Sequence, residues 1–158
     1  MSKKYLWTGA FIPLSLFTPP SGQWPDSVSL RVGKGGCNQG PIFQASVVQT
    51  ARDRNKGLGG RHNPLGPREG MIFVWDSKSD GGYFWMKDTF IPLSLLYFDR
   101  KGKLLAAHEM PVEPDPSQPQ IYYYKPDHAS VALEVASGYV KEFVPWDVYV
   151  LCVEKSSL

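Results

Sequence analysis

Several features that would identify a common class of protein are scarce or missing in this sequence of 158 residues. Cysteine occurs only twice, at Cys37 and Cys152, without a C-x-x-C pair, so the sequence indicates neither a zinc site nor a thioredoxin-type motif. The sequence also has no large excess of charge of either sign, because its 17 basic residues nearly balance its 15 acidic ones. A nucleic acid partner is therefore not expected. The apolar stretch near the N-terminus is shorter than the roughly 20 residues that a transmembrane helix needs.

Catalytic motifs are equally scarce. No G-x-S-x-G sequence occurs, so a nucleophile elbow is not indicated. The glycine clusters at residues 33–36 and 57–60 lack the spacing of a phosphate-binding loop or a dinucleotide fingerprint. His62, His108 and His128 are not spaced as metal ligands on one element. The sequence therefore predicts no metal, no cofactor and no residue that is catalytic by motif.

The two cysteines allow two interpretations. Two reduced thiols, with Cys152 packed in a strand, are favoured because free cysteine is commonly buried. A long-range disulfide between Cys37 and Cys152 is the alternative, and it would indicate an oxidising compartment.

The N-terminal region resembles a secretory signal in part, because Lys3 and Lys4 precede a mostly apolar stretch from Tyr5 to Phe17. Pro13 interrupts that stretch and no A-x-A-like cleavage site follows it. We therefore predict an extended arm over residues 1–41, rich in proline and glycine, that is dispensable for folding but needed for assembly or localisation. A retained arm predicts a protein in the cytoplasm or within an assembly, and a cleaved one predicts export.

Aromatic residues, glycine and proline are abundant, which favours short strands joined by turns over long helices. From Phe43 onward, short apolar segments with a period of two predict strands. Thr50 can cap a short helix that continues to about Leu58, and Gly102 fits a hairpin turn. The predicted fold class is α+β and mostly β: a compact, barrel-like antiparallel sheet domain with one or two short helices, over residues 42–158.

Four segments resemble the elements of a known family. They are Gly57-Leu58-Gly59-Gly60-Arg61, Gly70-Met71-Ile72-Phe73-Val74-Trp75, Phe84-Trp85-Met86-Lys87-Asp88-Thr89 with Ile91-Pro92-Leu93, and Ala132-Leu133-Glu134-Val135 with Gly138. In this order the chain resembles the DUF192 proteins, a widespread small bacterial and archaeal family with no agreed biochemical function. The resemblance covers roughly residues 43–150 and implies a family but no reaction.

The third of these segments contains the strongest candidate for a ligand or partner surface. On a strand, Trp85 and Lys87 would share one face, and Lys87 and Asp88 at its end could orient a polar ligand. The structural alternative is that Trp85 lies in the core and Asp88 caps a turn. His108, beside Glu109, is added to this surface as a candidate base.

Charged residues in the other segments suggest two further roles. Arg52, Arg54 and Lys56 concentrate positive charge on the short helix, which indicates either a solvated surface or an anion contact. Arg61 and Glu134 lie in family-like elements with apolar or glycine neighbours, and an unpaired charge would be costly there. We therefore predict that Arg61 and Glu134 form a buried structural pair.

Three hypotheses for function follow. The first is a non-catalytic binding or assembly module whose partner is a protein or a larger complex, such as a viral particle, more readily than a small molecule. The second is a small enzyme with a site around Lys87, Asp88 and His108. The third is an exported ligand-binding domain.

Overall fold

The computed structural model describes residues 10–19, 22–75 and 82–155, and most of its regular structure is strand. Within these ranges, short 3₁₀ turns occupy Leu14–Leu16, Val140–Glu142 and Trp146–Val148. No helix in these described ranges is long and apolar enough to cross a membrane. The strands and the α-helix are β1 (Phe11–Pro13), β2 (Ser27–Lys34), β3 (Ile42–Val48), α1 (Ala51–Lys56), β4 (Glu69–Val74), β5 (Tyr83–Phe84), β6 (Leu93–Asp99), β7 (Leu104–Met110), β8 (Tyr123–Tyr124), β9 (Ala129–Ala136) and β10 (Tyr149–Glu154).

Eight of these strands form one sheet in the order β1-β10-β2-β3-β4-β9-β6-β7, while β5 and β8 form a separate two-stranded sheet. The predicted α+β, mostly β fold with a short helix is confirmed. The sheet is mixed, because β3 and β4 run parallel and are joined through α1. It does not close into a barrel, although an isolated bridge between Lys103 and Val150 brings β7 towards β10.

The sheet buries both of its faces, because successive side chains of a strand point to opposite sides. One face packs a core that includes Leu30, Phe43 and Leu133. The other face packs a second core that includes Phe73 and Ala132 and is covered by the long connections and the β5–β8 sheet. Residues 132 and 134 of β9 therefore face this second layer.

Local sequence accounts for the short elements. The Thr50 hydroxyl accepts a hydrogen bond from the Asp53 amide at 3.1 Å, as expected for a helix cap. The helix ends at Lys56, before Gly57, whose φ of 46° favours glycine, so it stops about two residues earlier than predicted. Gly102 has a φ of 86° in the predicted β6–β7 turn.

The expected N-terminal arm is part of the sheet wherever the structure describes it. Strand β1 pairs with β10, and β2 lies between β10 and β3. The apolar side chains of β2, Val28, Leu30 and Val32, are buried. Because alternation in β2 supplies core residues, the boundary predicted between residues 41 and 42 does not separate an arm from a domain. Of the signal-like stretch, residues 1–9 lie outside the described residues.

The interpretation of two reduced thiols is wrong, because Cys37 and Cys152 form a disulfide with their sulfur atoms 2.03 Å apart. Cys152 is buried in β10, opposite Arg31 of β2. The Arg31 guanidinium donates a hydrogen bond to the Cys37 carbonyl oxygen at 2.7 Å. The connection after β2 thus folds back over the pair of strands, and that brings together two cysteines 115 positions apart.

Removal of residues 1–41 should prevent cooperative folding. The truncated chain would lose β2 and its three buried aliphatic side chains, each of which contributes about 1.5–3 kcal/mol on burial. That loss is comparable with the roughly 5–15 kcal/mol by which a whole domain is stable. Thermal melts followed by circular dichroism would measure it, with a chain lacking only residues 1–9 as the control that keeps every described strand. A wild-type melting profile for the longer truncation would contradict this role of β2.

The Cys37→Ala substitution should lower the free energy of unfolding by about 2–4 kcal/mol, because the disulfide closes a long loop in the unfolded chain. Urea denaturation without reductant measures the difference. Reduction should destabilise the wild type by a similar amount and leave the variant unchanged. A wild type that is insensitive to reductant would show that the disulfide contributes nothing to stability.

Candidate functional site

Glu134 is the most unusual residue of the second layer. It lies in β9, between Met71 of β4 and Leu95 of β6, and is only 5% exposed. Its Oε2 atom has no hydrogen-bond partner among the described residues. Burial raises the pKa of the Glu134 carboxyl from its usual 4.5 to about 8, so the side chain is mainly protonated at neutral pH.

A cleft of about 530 Å³ lies over this part of β9. Ala132 and Ala136 flank Glu134 on the same face of the strand. The described residues that line the cleft are Arg54, Asn55, Lys56, Gly57, Leu58, Phe73, Trp75, Gly82, Tyr83, Phe84, Trp85, Lys87, Thr89, Lys125 and Glu134.

Helix α1 and its C-terminal turn form one wall of the cleft. The Thr50 cap sets the start of the helix, which places Arg54 and Lys56 along the cleft. The Arg54 guanidinium donates hydrogen bonds to the carbonyl oxygen of Gln49 and, at 3.0 Å, to that of Val74. Arg54 is thereby held between the helix and β4, while Lys56 remains exposed.

The β5–β8 sheet forms the opposite, aromatic wall. Phe84 packs edge-on against Phe73 with ring centroids 4.7 Å apart and pairs with Tyr123 of β8. The buried Tyr97 hydroxyl donates a hydrogen bond to the Tyr123 carbonyl oxygen at 2.8 Å, which ties this small sheet to the large one. These contacts hold the aromatic wall against the sheet.

Trp85 and Lys87 continue this wall. Trp85 is half-buried, lines the cleft and belongs to neither core cluster. The Lys87 ammonium lies 5.9 Å from the centroid of the Trp85 ring and donates a hydrogen bond to the Ser117 carbonyl oxygen at 3.0 Å. The strand predicted over residues 83–87 ends at Phe84, because a turn begins at Met86 and the Thr89 amide donates to the Met86 carbonyl oxygen.

Asp88 has a different place from the one expected. It is outside the lining of the cleft, and its carboxylate lies 3.9 Å from the Lys87 ammonium. Its backbone joins two loops, since its amide donates to the Pro116 carbonyl oxygen and its carbonyl accepts from the Gly60 amide. Its φ of 51° is in the left-handed region, which aspartate tolerates better than most residues. In the turn itself, the side chain that hydrogen-bonds the backbone is that of Thr89, to the Lys87 carbonyl oxygen.

His108 is also separate from the cleft. It lies on β7 opposite Leu95, with Leu95 between it and Glu134 in the sheet. Its ring is half-buried near Tyr97 and Tyr123, and this burial lowers its pKa. Of the predicted enzyme residues Lys87, Asp88 and His108, only Lys87 lines the cleft.

The predicted pair of Arg61 and Glu134 is wrong, because Arg61 has a different partner. Arg61 forms an ion pair with Glu69 at 2.8 Å, and this pair is partly exposed. Glu69 also accepts a hydrogen bond from the Gly66 amide, and this bond, together with Arg61, lowers the pKa of Glu69. The loop after α1 therefore turns Arg61 towards the start of β4, while Glu134 lies farther along the sheet without an ion-pair partner among the described residues.

The three basic residues of the predicted anion contact do not all lie in the same place. Arg54 and Lys56 line the cleft with Lys87 and Lys125, whereas Arg52 is exposed outside it. Among the described residues, no three His, Cys, Asp or Glu side chains are grouped as metal ligands. The cleft thus combines a neutral buried carboxyl, aromatic walls and positive charge at its sides.

The family-like elements meet at this cleft. Each contributes lining residues: Gly57 and Leu58 from the first, Phe73 and Trp75 from the second, Trp85 and Lys87 from the third, and Glu134 from the fourth. The family model of DUF192, described as "Uncharacterized ACR", matches residues 36–144. The chain belongs to the DUF192 family.

Two crystal structures resemble this DUF192 chain. A proposed transcription regulator from Sinorhizobium meliloti 1021 is 19% identical, with a TM-score of 0.67 over 86% of this chain and 98% of that one. A protein of unknown function from Novosphingobium aromaticivorans DSM 12444 is 22% identical, with a TM-score of 0.65 over 89% and 91% of the two chains. These likenesses show a shared fold. No curated protein matches the DUF192 chain.

The pH dependence of stability should reveal the Glu134 carboxyl. The unfolded carboxyl ionises near 4.5 and the folded one near 8, so this group makes the wild type lose stability as the pH rises between these values. Glu134→Gln cannot ionise and should lack that loss. The melting temperature of the variant, relative to that of the wild type, should therefore be higher at about pH 8 than at about pH 5.

Glu69→Gln is the matched control with the opposite sign. The pKa of Glu69 is lowered in the folded state, so its stabilising contribution is present above the usual value of 4.5 and is lost as the pH falls through its lowered pKa. The Glu69 variant should differ from the wild type most at neutral pH. Parallel curves of melting temperature against pH for Glu134→Gln and wild type would show that Glu134 ionises normally.

Proposed function

We propose that this DUF192 domain is a non-catalytic binding module whose cleft holds a ring-bearing group of its ligand. The observation that supports this best is the Glu134 carboxyl, which is buried in the lining of the cleft with Oε2 unpartnered among the described residues. A buried polar group without a partner costs about 1–3 kcal/mol. A ligand that hydrogen-bonds to it would recover that cost on binding.

The protonation of Glu134 favours a neutral polar group at the base of the cleft. A protonated carboxyl has an O–H that donates and a carbonyl oxygen that accepts. A hydroxyl or amide of the ligand can satisfy both. A cationic group fits less well, because the pKa of Glu134 is raised and Arg54 and Lys56 lie nearby.

The walls favour a ring that packs on aromatic side chains and has a negatively charged substituent. Phe73, Trp75, Phe84 and Trp85 offer aromatic surface, which is typical of ligand pockets. Lys56 and Lys87 are exposed at the sides of the cleft, where an anionic group can reach them. Two of the three residues of the predicted anion contact, Arg54 and Lys56, thus belong to the same proposed site.

Binding accounts for these residues better than catalysis. Glycoside hydrolysis, one reaction that acidic residues in a cleft catalyse, requires two carboxyl groups in most families. Glu134 is the single carboxyl in the described lining. The alternative enzyme site around Lys87, Asp88 and His108 has less support, because these side chains do not share the cleft.

The structure also favours a particular form of the binding hypothesis. A cleft of about 530 Å³ has the size of a small-molecule pocket. We therefore expect it to bind a small chemical group and not the protein partner that was predicted from the sequence. The disulfide between Cys37 and Cys152 is typical of oxidising compartments. Both points support the exported ligand-binding domain over the assembly component.

A panel of small anionic ring compounds tests this function. Uronic acids, sugar phosphates, nucleoside monophosphates and aromatic carboxylates would be screened by ligand-observed NMR and by tryptophan fluorescence. We expect at least one class to bind, and Glu134→Leu to weaken it about tenfold, since a lost hydrogen bond with an unsatisfied partner costs about 1–3 kcal/mol. Glu134→Gln should retain more of the affinity, because the amide still donates and accepts.

Two lysine variants distinguish binding at the cleft from nonspecific attraction between the ligand and the positive charges of the protein. Lys87→Ala should weaken binding of the same compound, and Lys101→Ala should not, because Lys101 is an exposed lysine in the β6–β7 turn, outside the cleft. The proposal fails if no class binds. It also fails if the compound that binds keeps its affinity in Glu134→Leu and Lys87→Ala.

A further inference from the structure

A cluster of aromatic rings begins in the lining of the cleft and extends beyond it. It consists of Tyr83, Trp85, Tyr122 and Tyr124, called here the tyrosine surface. Tyr83, Tyr122 and Tyr124 are 47%, 41% and 69% exposed, and Trp85 is half-buried. Large aromatic groups in contact with water at neighbouring positions are typical of interaction sites.

The rings of this surface are ordered by one another. The Trp85 and Tyr122 rings are tilted by 33° with centroids 6.0 Å apart, and those of Tyr122 and Tyr124 by 35° at 6.5 Å. Tyr83 stands edge-on between them, with its centroid 4.9 Å from that of Tyr122. Pairing of Tyr83 with Tyr124 across β5 and β8 fixes the backbone beneath them. The result is a pre-formed aromatic surface and not a set of independent side chains.

The tyrosine surface is continuous with the cleft. Tyr83 and Trp85 line the cleft and also contact Tyr122, which lies outside it. A ligand that has its end at Glu134 therefore passes Trp85 and meets Tyr122 and then Tyr124 if it continues. The Lys87 ammonium lies near the Trp85 ring, at the junction of the two regions.

We propose, on the basis of the function proposed above, that the ligand is an acidic oligosaccharide whose terminal unit enters the cleft and whose next units lie across the tyrosine surface. Sugar hydroxyls supply the neutral donor and acceptor that Glu134 lacks. The apolar faces of sugar rings pack on aromatic rings, and tyrosine hydroxyls supply further hydrogen bonds. Carboxylates on the sugar units pair with the exposed ammonium groups of Lys56 and Lys87.

Other chain-like ligands fit these features less well. A proline-rich peptide binds aromatic grooves, but proline has no amide N–H to satisfy Glu134. A single-stranded nucleic acid stacks on aromatic residues and contacts lysines, but such sites use a concentrated basic surface, and this chain has a net charge of only +2. The disulfide is typical of compartments outside the cytosol, where glycans are exposed.

Titration calorimetry with oligogalacturonates of increasing length tests the inference. The wild type should bind the tetramer about tenfold more tightly than the monomer, as added ring contacts of about 0.5–1.5 kcal/mol each predict. Tyr122→Ala and Tyr124→Ala should remove most of this gain and weaken monomer binding far less than tetramer binding, because neither residue lines the cleft. Trp146→Ala, which alters another exposed aromatic residue, should keep the full gain. Cellotetraose, which has no carboxylates, should bind more weakly than the acidic tetramer.

The outcomes distinguish this inference from the function on which it rests. If the monomer binds through Glu134 but the tetramer gains nothing, or if the gain survives both tyrosine variants, the extended site is wrong and the cleft function stands. If no galacturonate binds while another compound of the panel does so through Glu134, the oligosaccharide class is wrong. If decaproline binds to the tyrosine surface and the oligogalacturonate does not, the oligosaccharide inference is overturned in favour of a peptide ligand.

Discussion

The placement of an acidic side chain in the centre of a sheet is the constraint on which the rest of this site depends. Residues 131–135 of strand β9 pair with both β4 and β6, so Glu134 is held in register between two neighbouring strands. Glu134 cannot leave that register without breaking the pairing. Its carboxyl is therefore held in an apolar layer, where desolvation favours the neutral form. The same carboxyl is part of the lining of the cleft.

The layer that packs on the sheet provides the walls of the cleft. Helix α1 and the β5–β8 sheet are too short to be stable alone, and each is held by contacts with the large sheet. Arg54 joins the helix to the end of β4, and the Tyr97 hydroxyl joins β8 to β6. These two attachments set the width of the cleft. The family-like elements are distant in the chain, but all of them contribute to this one place.

Much of the fold could be predicted because its causes are local. The helix cap at Thr50, the glycine turn at Gly102 and the mostly β content follow from short-range patterns. The role of residues 27–34 was missed, since proline and glycine on either side suggested an arm. The disulfide was missed because it depends on β2 and β10 becoming neighbours across nearly the whole chain. The partner of Arg61 was missed for a similar reason, as the path of a loop decides whether Glu69 or Glu134 is within reach.

The sequence by itself determined the family, the short strands, the lone glutamate within an apolar strand and the aromatic and basic residue types of the site. Only the tertiary structure decided that Glu134 has no ion-pair partner among the described residues, that Trp85 and Lys87 share a cleft with it, and that Asp88 and His108 lie elsewhere. The physical reason is that strand periodicity assigns a side chain to a face of the sheet but not to a neighbour on that face. Neighbours come from strand order and from loop paths, which are properties of the whole folded chain.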